Sequence, residues 1–389
     1  MILTNTKLKK LIKDNITFCF GEYFSIHIFV TKIYIIIKIT MTTSKIPVAV
    51  LGATGSVGQR FIQLLENHPW FEVKEVAASE KSSGKIYREA ANWIQSTPIP
   101  GSVANLVVQD CEPNLECKLA FSGLDSSVAG EIETAFASKG YYIVSNSKNH
   151  RMDKDVPLLV PEINSEHLEL IRKQNYNGGC IVTNPNCSAI GLVLALKPLV
   201  DSFGVEQVNV VTMQGLSGAG YPGVSSLDII DNVIPFIGGE EAKMESEPKK
   251  ILGSLKGDSI NYLDIKISAQ CNRVAVIDGH TECVQVKLKK KTNVEEIKEV
   301  WRNYSAEPQK LNLPSAPEMP LHYFEEVKYP QPRIHRNIDK GMAVAIGRLR
   351  EDIFFDYKFV IISHNTIRGA AGGAILCAEL MKAKGLIQV

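Results

Sequence analysis

Residues 46–58 read IPVAVLGATGSVG, an apolar run that leads into three glycines at intervals of three. The run predicts a buried strand, and the helical spacing of the apolar residues after Gly58 predicts a helix that starts at the glycine turn. A second strand-like run follows at 73–78. Strand, glycine turn, helix and strand in this order are typical of the start of a parallel dinucleotide-binding sheet.

The rest of the chain divides into two parts, which differ in the predicted order of strands and helices. Up to residue 197 the pattern alternates, with strands predicted at 119–121 and 142–144 and helices at 128–139 and 187–197. Beyond it, strand-like runs follow without intervening helices, at 207–213, 264–267, 274–277 and 282–288. An Ala-rich segment, 369–384, predicts a final helix. The expected fold class is α/β, with a Rossmann-type parallel-sheet domain and an α+β second domain.

The first forty residues differ from the remaining 349 in charge. They hold six Lys, one Asp and one Glu, a balance of +4, whereas the rest carries 37 basic and 40 acidic groups, a balance of −3. Their apolar runs are too short for a membrane span and lack the cleavage site of a secretory signal. The Lys-rich cluster at 7–13 leaves an amphipathic targeting helix as an alternative. The preferred interpretation is an extension outside the fold, ahead of a second start at Met41.

Composition excludes several classes of protein. With 45% hydrophobic residues the chain is not expected to be disordered, and a net charge of +1 gives no general case for nucleic-acid binding. Eight cysteines are scattered singly, without the spacing of a zinc motif. We therefore predict no metal site, and reduced thiols in a cytoplasmic protein.

The loop after the second strand bears on the choice of cofactor. An NAD enzyme usually carries an acidic residue there for the ribose hydroxyls. Residues 78–85 instead read ASEKSSGK. Hydroxyl groups and lysines suit the 2′-phosphate of NADP, so NADP is the predicted cofactor, with a solvated polar loop as the alternative.

Two residues are candidates for the chemistry. Cys187 follows Asn-Pro-Asn and begins an apolar helix, and the helix dipole is expected to lower its pKa and raise its reactivity. His280 lies in DGHTE at 278–282, which predicts a turn between two strands, and histidine can shuttle protons near neutral pH. The alternatives are a structural cysteine and an ordinary surface histidine.

Seven strings give the sequence a family resemblance. In chain order, the strings are LGATGSVGQRF at 51–61, SNSKNHRM at 145–152, TNPNCSAIGL at 183–192, GLSGAGYPGV at 215–224, GGEEAKMESEPKKIL at 238–252, NRVAVIDGHTE at 272–282 and NTIRGAAGGA at 365–374. With these strings in the family's order, the sequence resembles aspartate-semialdehyde dehydrogenase over residues 45–389, in the archaeal and fungal branch of that family. The resemblance implies reduction of β-aspartyl phosphate by NADPH to aspartate semialdehyde, with release of phosphate. This reaction feeds the synthesis of threonine, methionine, isoleucine and lysine.

The same resemblance implies roles for individual residues. Cys187 corresponds to the acylated nucleophile and His280 to the acid/base. The substrate-binding positions are Arg273 for the carboxylate, Glu240 for the ammonium, Arg151 and Lys243 for the phosphate, and Gln214 and Asn186 for orientation of the substrate. The cofactor-binding positions are Gly52, Thr54, Gly55, Ser56, Val57, Gly58, Ser79, Lys81, Ser82, Ser83, Ser122, Asn146, Gly218 and Asn365. The family often has Arg where this chain has Lys81, and Lys gives charge without a bidentate fork.

Rival functions remain open at this point. A related acyl reductase on the same scaffold would act on malonyl-CoA or on N-acetylglutamyl phosphate. A non-catalytic NADP-binding sensor is a rival of another class. Arg151 and Lys243 favour a phosphate leaving group over CoA, because two cations match a dianion.

The resemblance also implies a domain division and an assembly. Residues 1–40 are expected to lie outside the fold, 41–186 with 361–389 to bind NADP, and 187–360 to form the catalytic and dimerisation domain. The expected partners are a small-molecule substrate, inorganic phosphate and further copies of the chain, in a homodimer or homotetramer. No nucleic acid or membrane is expected.

Overall fold

The apolar run at 46–51 lies in the middle of a six-stranded parallel sheet. The computed structural model describes residues 45–388, so the predicted extension, 1–40, lies outside the described residues. Along the sheet the strand order is β3-β2-β1-β4-β5-β6. The strands are β1 (Ile46–Leu51), β2 (Phe71–Ala78), β3 (Val108–Asp110), β4 (Leu119–Ser122), β5 (Tyr142–Ser145) and β6 (Cys180–Thr183). This arrangement confirms the predicted Rossmann-type sheet.

The helices of this first layer connect its parallel strands. They are α1 (Ser56–Leu65), the single turns α2 (Tyr87–Ala90) and α3 (Gly101–Ala104), and α4 (Ala129–Ser138). A 3₁₀ helix, Ser165–Lys173, precedes β6. The strands and helices predicted between 46 and 144 are therefore confirmed, with small differences at their ends.

A second six-stranded sheet of mixed direction follows, in the order β10-β7-β11-β14-β13-β12. Its strands are β7 (Val205–Gln214), β10 (Lys266–Arg273), β11 (His280–Leu288), β12 (Leu321–Phe324), β13 (Val344–Glu351) and β14 (Tyr357–Ser363). A separate hairpin consists of β8 (Ser254–Lys256) and β9 (Ser259–Asn261). The prediction of an α+β second part is confirmed.

The longest helix of the described chain, α5 (Cys187–Phe203), packs against one face of this second sheet. The other helices are α6 (Ser226–Ile229), α7 (Glu240–Ile251), α8 (Val294–Arg302), α9 (Glu307–Lys310) and α10 (Pro332–His335). Strand residues alternate between the two faces. Consequently Gln214, His280 and Glu282 point to the α5 side and are buried, while Cys283 points to the other side and is exposed.

The last helix, α11 (Gly372–Ala383), packs against the first sheet. Ala374 and Ile375 share a hydrophobic cluster with Val48 and Val50 of β1. The helix predicted at 369–384 thus exists, but a π-helical turn, Ile367–Ala371, precedes it. Two further 3₁₀ helices are Leu216–Ala219 and Ile338–Gly341.

One predicted strand is wrong. Residues 274–277 form a loop, in which the N–H of Val276 bonds back to the carbonyl of Val274. Only Val274 still bonds to β7, through its N–H to the carbonyl of Gln214, while the carbonyls of Val276 and Ile277 accept from the N–H groups of residues 216 and 217 in the 3₁₀ turn after β7. The apolar run therefore does not become a strand. In addition, the strand predicted at 264–267 starts only at Lys266 and continues to Arg273.

Two kinds of feature are absent from residues 45–388. No helix in this range is long and apolar enough to cross a membrane. Likewise, the described residues contain no cluster of His, Cys, Asp or Glu side chains suited to hold a metal ion.

Candidate active site

The start of α5 is built by a side-chain cap. Asn186 is the N-cap residue, and its Oδ1 accepts hydrogen bonds from the N–H groups of Ser188 at 3.0 Å and Ala189 at 3.3 Å. These two donors have no partner within the helix, which is why Asn is favoured at this position. The cap fixes Cys187 as the first residue of the helix, as predicted.

His280 lies against Cys187, 93 residues away in the chain. The Cys187 Sγ and His280 Nε2 atoms are 3.2 Å apart. The predicted turn position is wrong, because His280 is the first residue of β11, paired with Gln214 and Ser363, and is fully buried. Its Nδ1 accepts the N–H of Gly215 at 3.0 Å. The neutral imidazole therefore carries its proton on Nε2, where it faces the sulfur.

Burial sets the charge state of this pair. Burial raises the pKa of Cys187 to about 12, the Glu240 carboxylate adds to the rise, and Arg151 and Arg273 offset part of it. Burial, helped by the Arg273 cation, lowers the pKa of His280 to about 3. Both shifts favour a neutral thiol beside a neutral imidazole. The predicted lowering of the Cys187 pKa by the helix dipole is thus wrong for this structure, because desolvation is the larger effect.

Glu240 lies at the centre of the substrate-binding positions predicted on the second sheet and α7. It accepts hydrogen bonds from Lys243 Nζ at 2.5 Å, Asn186 Nδ2 at 2.8 Å and Gln214 Nε2 at 3.3 Å. Burial would raise the pKa of Glu240, but Lys243 and these hydrogen bonds bring it below its ordinary value. Nearby, Arg273 Nη1 donates to the carbonyl of Gly215 at 2.6 Å.

Arg151 approaches the same site from the first sheet. Its Nη1 lies 2.9 Å from Glu247 Oε1, and its Nη2 donates to the carbonyl of Asn146 at 2.8 Å. Only 7% of the residue is exposed. The guanidinium is therefore held in one orientation by a carboxylate and a carbonyl.

A cavity of about 320 Å³ joins these groups. Ten of the predicted site residues line it, and they are Ser56, Val57, Asn146, Arg151, Asn186, Cys187, Gly218, Glu240, Lys243 and Asn365. His280 and Arg273 lie directly behind Gly218, since a Cβ on that glycine would lie 3.1 Å from His280 Cε1 and 2.9 Å from Arg273 Nη1. The structure therefore brings together nucleophile, histidine and cations at one end of the glycine turn.

The glycine turn itself fits a pyrophosphate. Gly52 has φ +72°, and a Cβ on Gly58 would lie 2.2 Å from the carbonyl oxygen of Gly52, so both positions require glycine. Gly55 is the N-cap of α1 and offers no side-chain cap, which leaves the first N–H groups of the helix available to an anion. Thr54 lies between them in the same turn, and Ser56 and Val57 begin α1 and face the cavity.

The remaining cofactor positions are more dispersed. Ser79, Lys81, Ser82 and Ser83 form a turn directly after β2, at the same sheet edge as the glycine turn but outside the cavity lining. The hydroxyl hydrogen of Ser122 already has an acceptor, because Ser122 Oγ donates to the buried carboxylate of Glu133 at 2.6 Å.

Asn365 closes the opposite side of the cavity. Its Nδ2 donates to Ser217 Oγ at 2.8 Å, and its Oδ1 accepts the N–H of Gly279 at 2.8 Å. These two bonds hold the 3₁₀ turn after β7 and the loop before β11 against the segment after β14.

Sequence reasoning missed three residues that shape the site. Glu247 and Lys250 lie on the buried face of α7 with Glu240, and Gly369 touches Cys187. A charged run such as 240–250 usually forms a solvated helical face. Its spacing of 240, 243, 247 and 250 was the available signal, because these positions share one side of a helix.

Each of the two sheets lies largely within a segment that matches a known protein family. Residues 47–171 match the family model for the semialdehyde dehydrogenase NAD binding domain, and residues 196–368 match that for the semialdehyde dehydrogenase dimerisation domain. The chain is 48% identical to the aspartate-semialdehyde dehydrogenase of Candida albicans, over 87% of this chain and 98% of that one. It is 50% identical to that of Schizosaccharomyces pombe, with 87% and 99% covered. The chain belongs to the aspartate-semialdehyde dehydrogenase family.

Membership in the aspartate-semialdehyde dehydrogenase family makes the chain an oxidoreductase and confirms the predicted branch. The enzyme of the archaeon Archaeoglobus fulgidus is 50% identical, over 86% of this chain and 97% of that one. A crystal structure of the Candida albicans enzyme with NADP has a TM-score of 0.82 and 45% identity, covering 88% of this chain and all of that one. Enzyme II of Vibrio cholerae is more distant, with a TM-score of 0.70 and 27% identity over 87% of this chain and 99% of that one. The alternative reductases and the sensor are not favoured by these relatives.

Proposed function

We propose that the chain catalyses the NADPH-dependent, reversible reduction of L-4-aspartyl phosphate to L-aspartate 4-semialdehyde, with Cys187 as the nucleophile. The observation that carries the proposal is the 3.2 Å contact between Cys187 Sγ and His280 Nε2, at a helix N-terminus in a cavity that also holds Arg151 and Lys243. A thiol, an N–H donor and two cations are the groups that acyl transfer from a phosphate requires.

The first step is attack of the Cys187 sulfur on the acyl carbon. A C–S bond forms and the C–O bond to phosphate breaks. The phosphate leaves with that electron pair and takes up the proton that the thiol loses, as hydrogen phosphate. Because Nε2 carries the proton of the neutral His280, this N–H donates to the sulfur and stabilises negative charge on it. The same donor then stabilises the oxyanion that develops on the substrate.

The charged residues of the cavity bind the ends of the substrate. Arg273 pairs with the substrate carboxylate, and Glu240 with its ammonium group. Arg151 and Lys243 hold the phosphate, while Gln214 and Asn186 orient the acyl group. This division is supported by charge, because a dianion between two cations is the favourable arrangement. The short Lys243–Glu240 contact keeps the ammonium-binding and phosphate-binding groups adjacent.

NADP is the proposed cofactor, and bound NADPH supplies the hydride that reduces the thioester. The pyrophosphate positions are Gly52, Thr54, Gly55, Ser56, Val57 and Gly58, and the 2′-phosphate positions are Ser79, Lys81, Ser82 and Ser83. Gly218, Asn146, Asn365 and Ser122 surround the cofactor. The uncapped N-terminus of α1 supports this assignment, as do the exposed Ser79 and the half-buried Ser82 and Ser83 after β2.

The proposed domain division is discontinuous, with 41–186 and 361–389 binding NADP and 187–360 carrying catalysis and dimerisation. The packing of α11 on the first sheet supports it. We propose a homodimer, or a tetramer of two such dimers, formed through the second sheet. A cytoplasmic location is supported by the seven cysteines of residues 45–388, which are all free.

The test is NADPH formation from L-aspartate 4-semialdehyde and NADP with and without inorganic phosphate. We expect strong phosphate dependence and a preference for NADP over NAD. Malonate semialdehyde with CoA, and N-acetylglutamate semialdehyde with phosphate, serve as competing substrates. Faster turnover of either competitor, or no phosphate dependence, would contradict the proposal.

A further inference from the structure

The buried face of α7 continues beyond the residues proposed to touch the substrate. Glu240 and Lys243 occupy its first turn, and Glu247 and Lys250 follow at helical spacing toward its end. Only 2% of Glu247 is exposed, and Lys250 is fully buried. Buried charged groups need hydrogen-bonding or ionic partners. The partners of Glu247 and Lys250 therefore indicate which parts of the active site these two residues position.

Glu247 has one strong donor on each carboxylate oxygen. Oε1 accepts from Arg151 Nη1 at 2.9 Å, and Oε2 accepts the backbone N–H of Asn186 at 2.7 Å. Asn186 caps α5 and immediately precedes Cys187. One carboxylate therefore connects the guanidinium proposed to bind phosphate with the residue that fixes the nucleophile.

Lys250 holds the backbone of the same arginine. Its Nζ donates to the carbonyls of Arg151 at 2.7 Å, Asp153 at 2.7 Å and Val156 at 2.9 Å. Arg151 is thus fixed at both ends from α7, by Lys250 at its main chain and by Glu247 at its guanidinium. A buried ion pair by itself contributes little net stability. Stability alone therefore does not account for an arrangement that fixes both ends of one arginine.

We propose that Glu247 is a positioning residue that ties Arg151 to Asn186 and so keeps the bound phosphate in register with the Cys187 thiol. The proposal rests on the proposed role of Arg151 in phosphate binding. Glu247 touches neither the sulfur nor the histidine ring, and it acts through the two groups that it holds. Its loss should therefore weaken phosphate binding before it affects the other substrates.

Glu247→Gln is the informative substitution. Two donors face the carboxylate, and a glutamine presents one acceptor and one donor in nearly the same volume. One of the two links must therefore break, and the charge opposite Arg151 is lost. Glu247→Asp keeps the charge and both acceptors on a side chain that is one methylene shorter, so it should restore part of the function.

The experiment uses the full chain in the phosphate-dependent direction. For Glu247→Gln we expect the KM for inorganic phosphate to rise about tenfold or more, while the KM for aspartate semialdehyde changes less than twofold. Glu247→Asp should lie between the variant and the native enzyme. Calorimetric titration with inorganic phosphate, without turnover, should show the same weakening. The control is Glu169→Gln, which removes an exposed ion pair with Arg172 and should change nothing.

Other kinetic patterns in the folded variants would overturn the proposal. An unchanged KM for phosphate with a lower thermal midpoint would make Glu247 merely structural, and so would an equal rise in every KM. If Glu247→Gln does not fold, Glu247→Asp carries the same test. An active native enzyme with an unaffected variant refutes this inference alone, whereas a native enzyme without phosphate dependence refutes the proposed function as well.

Discussion

At the scale of single residues, the reactive pair is held in its neutral form by its surroundings. Cys187 and His280 are both desolvated, and their pKa values move apart in opposite directions, to about 12 and about 3. A thiolate is the nucleophilic form of cysteine. The resting pair is thus neutral, and the negative charge that develops on the sulfur during attack lies near Arg151, Arg273 and Lys243.

The raised thiol pKa predicts the pH dependence of alkylation. For a thiol whose pKa lies near 12, the thiolate fraction rises about tenfold with each pH unit as long as the pH stays below that pKa. The rate at which iodoacetamide modifies Cys187 in the free enzyme should therefore keep rising from pH 6 to pH 9. Mass spectrometry of the peptide containing Cys187 measures it, with a free peptide thiol under the same conditions as comparison. A plateau already reached at pH 7 would reveal a thiolate–imidazolium pair instead.

Glu282 is a second buried residue with an unusual pKa. It points to the α5 side of β11, two residues after His280, and among residues 45–388 neither of its carboxylate oxygens has a hydrogen-bond partner. Burial raises its pKa well above 4.5. Burial therefore favours the neutral carboxyl group in the folded protein, whereas the same group ionises near its ordinary pKa in the unfolded chain.

This difference predicts how stability depends on pH. Between pH 4.5 and its raised folded-state pKa, Glu282 binds more protons in the folded protein than in the unfolded chain, so it makes the unfolding free energy fall as the pH rises. Glu282→Gln removes this contribution. In urea unfolding at pH 5, 7 and 9, the variant should gain stability over the native protein as the pH rises. Parallel pH profiles for the two proteins would show that Glu282 is ionised in the fold.

At the scale of elements, the active site depends on how closely the π-helical turn before α11 approaches the start of α5. A Cβ on Gly369 would lie 2.8 Å from the Cβ of Cys187 and 2.9 Å from its Cα. The φ angle of Gly369 is not positive, so other residues could adopt its backbone conformation. Glycine is required here because any side chain would collide with Cys187. The turn therefore sets the position of the nucleophile from a segment 182 residues away.

Gly369→Ala should displace Cys187 with little change in the rest of the fold. A shift of about 1 Å at a reacting group costs on the order of 100-fold in rate, so we expect kcat to fall by about that factor. The matched control is Gly101→Ala, where no described atom lies within 4 Å of the added methyl group, and its kcat should be unchanged. Equal kcat values for the two variants would contradict this role of the turn.

Local patterns in the sequence predicted the elements, and long-range contacts decided the rest. The glycine turn at 52–58 and the Asn-Pro-Asn-Cys start of α5 are local signals, and both appear where predicted. The loop at 274–277 is apolar like a strand, but the hydrogen bonds of Val276 and Ile277 go to residues 216–217, which no local pattern reveals. Burial of one face of α7 could not be predicted for the same reason, because the partners of Glu247 come from distant parts of the chain. Burial of Cys187, which reverses the expected pKa shift, is likewise a property of the assembled fold.

At the scale of the whole molecule, the outer face of the second sheet carries the proposed assembly. Cys283 is paired in register with Val211 on β7 and with Val360 on β14, and these three side chains form a row across the face opposite α5. A neutral row of this kind suits contact with the same row of a second copy.

Val211→Lys should disrupt this contact. A lysine placed in the row would have to be buried against its counterpart, so the dimer should dissociate at micromolar concentration. Sedimentation velocity measures the change, with Glu299→Lys on the exposed side of α8 as the control that keeps the native oligomer. A Val211→Lys protein that sediments like the native enzyme would exclude this face as the interface.

The proposed mechanism requires that Cys187 carry the acyl group between the two half-reactions. The direct measurement is a rapid mixing of enzyme with aspartate semialdehyde and NADP in the absence of phosphate. We expect a burst of about one NADPH per active site and an aspartyl adduct on the peptide containing Cys187, with turnover restored when phosphate is added. Cys187→Ser should show neither burst nor adduct. A full steady-state rate in Cys187→Ser, or phosphate-independent turnover without any adduct, would show that Cys187 does not carry the acyl group.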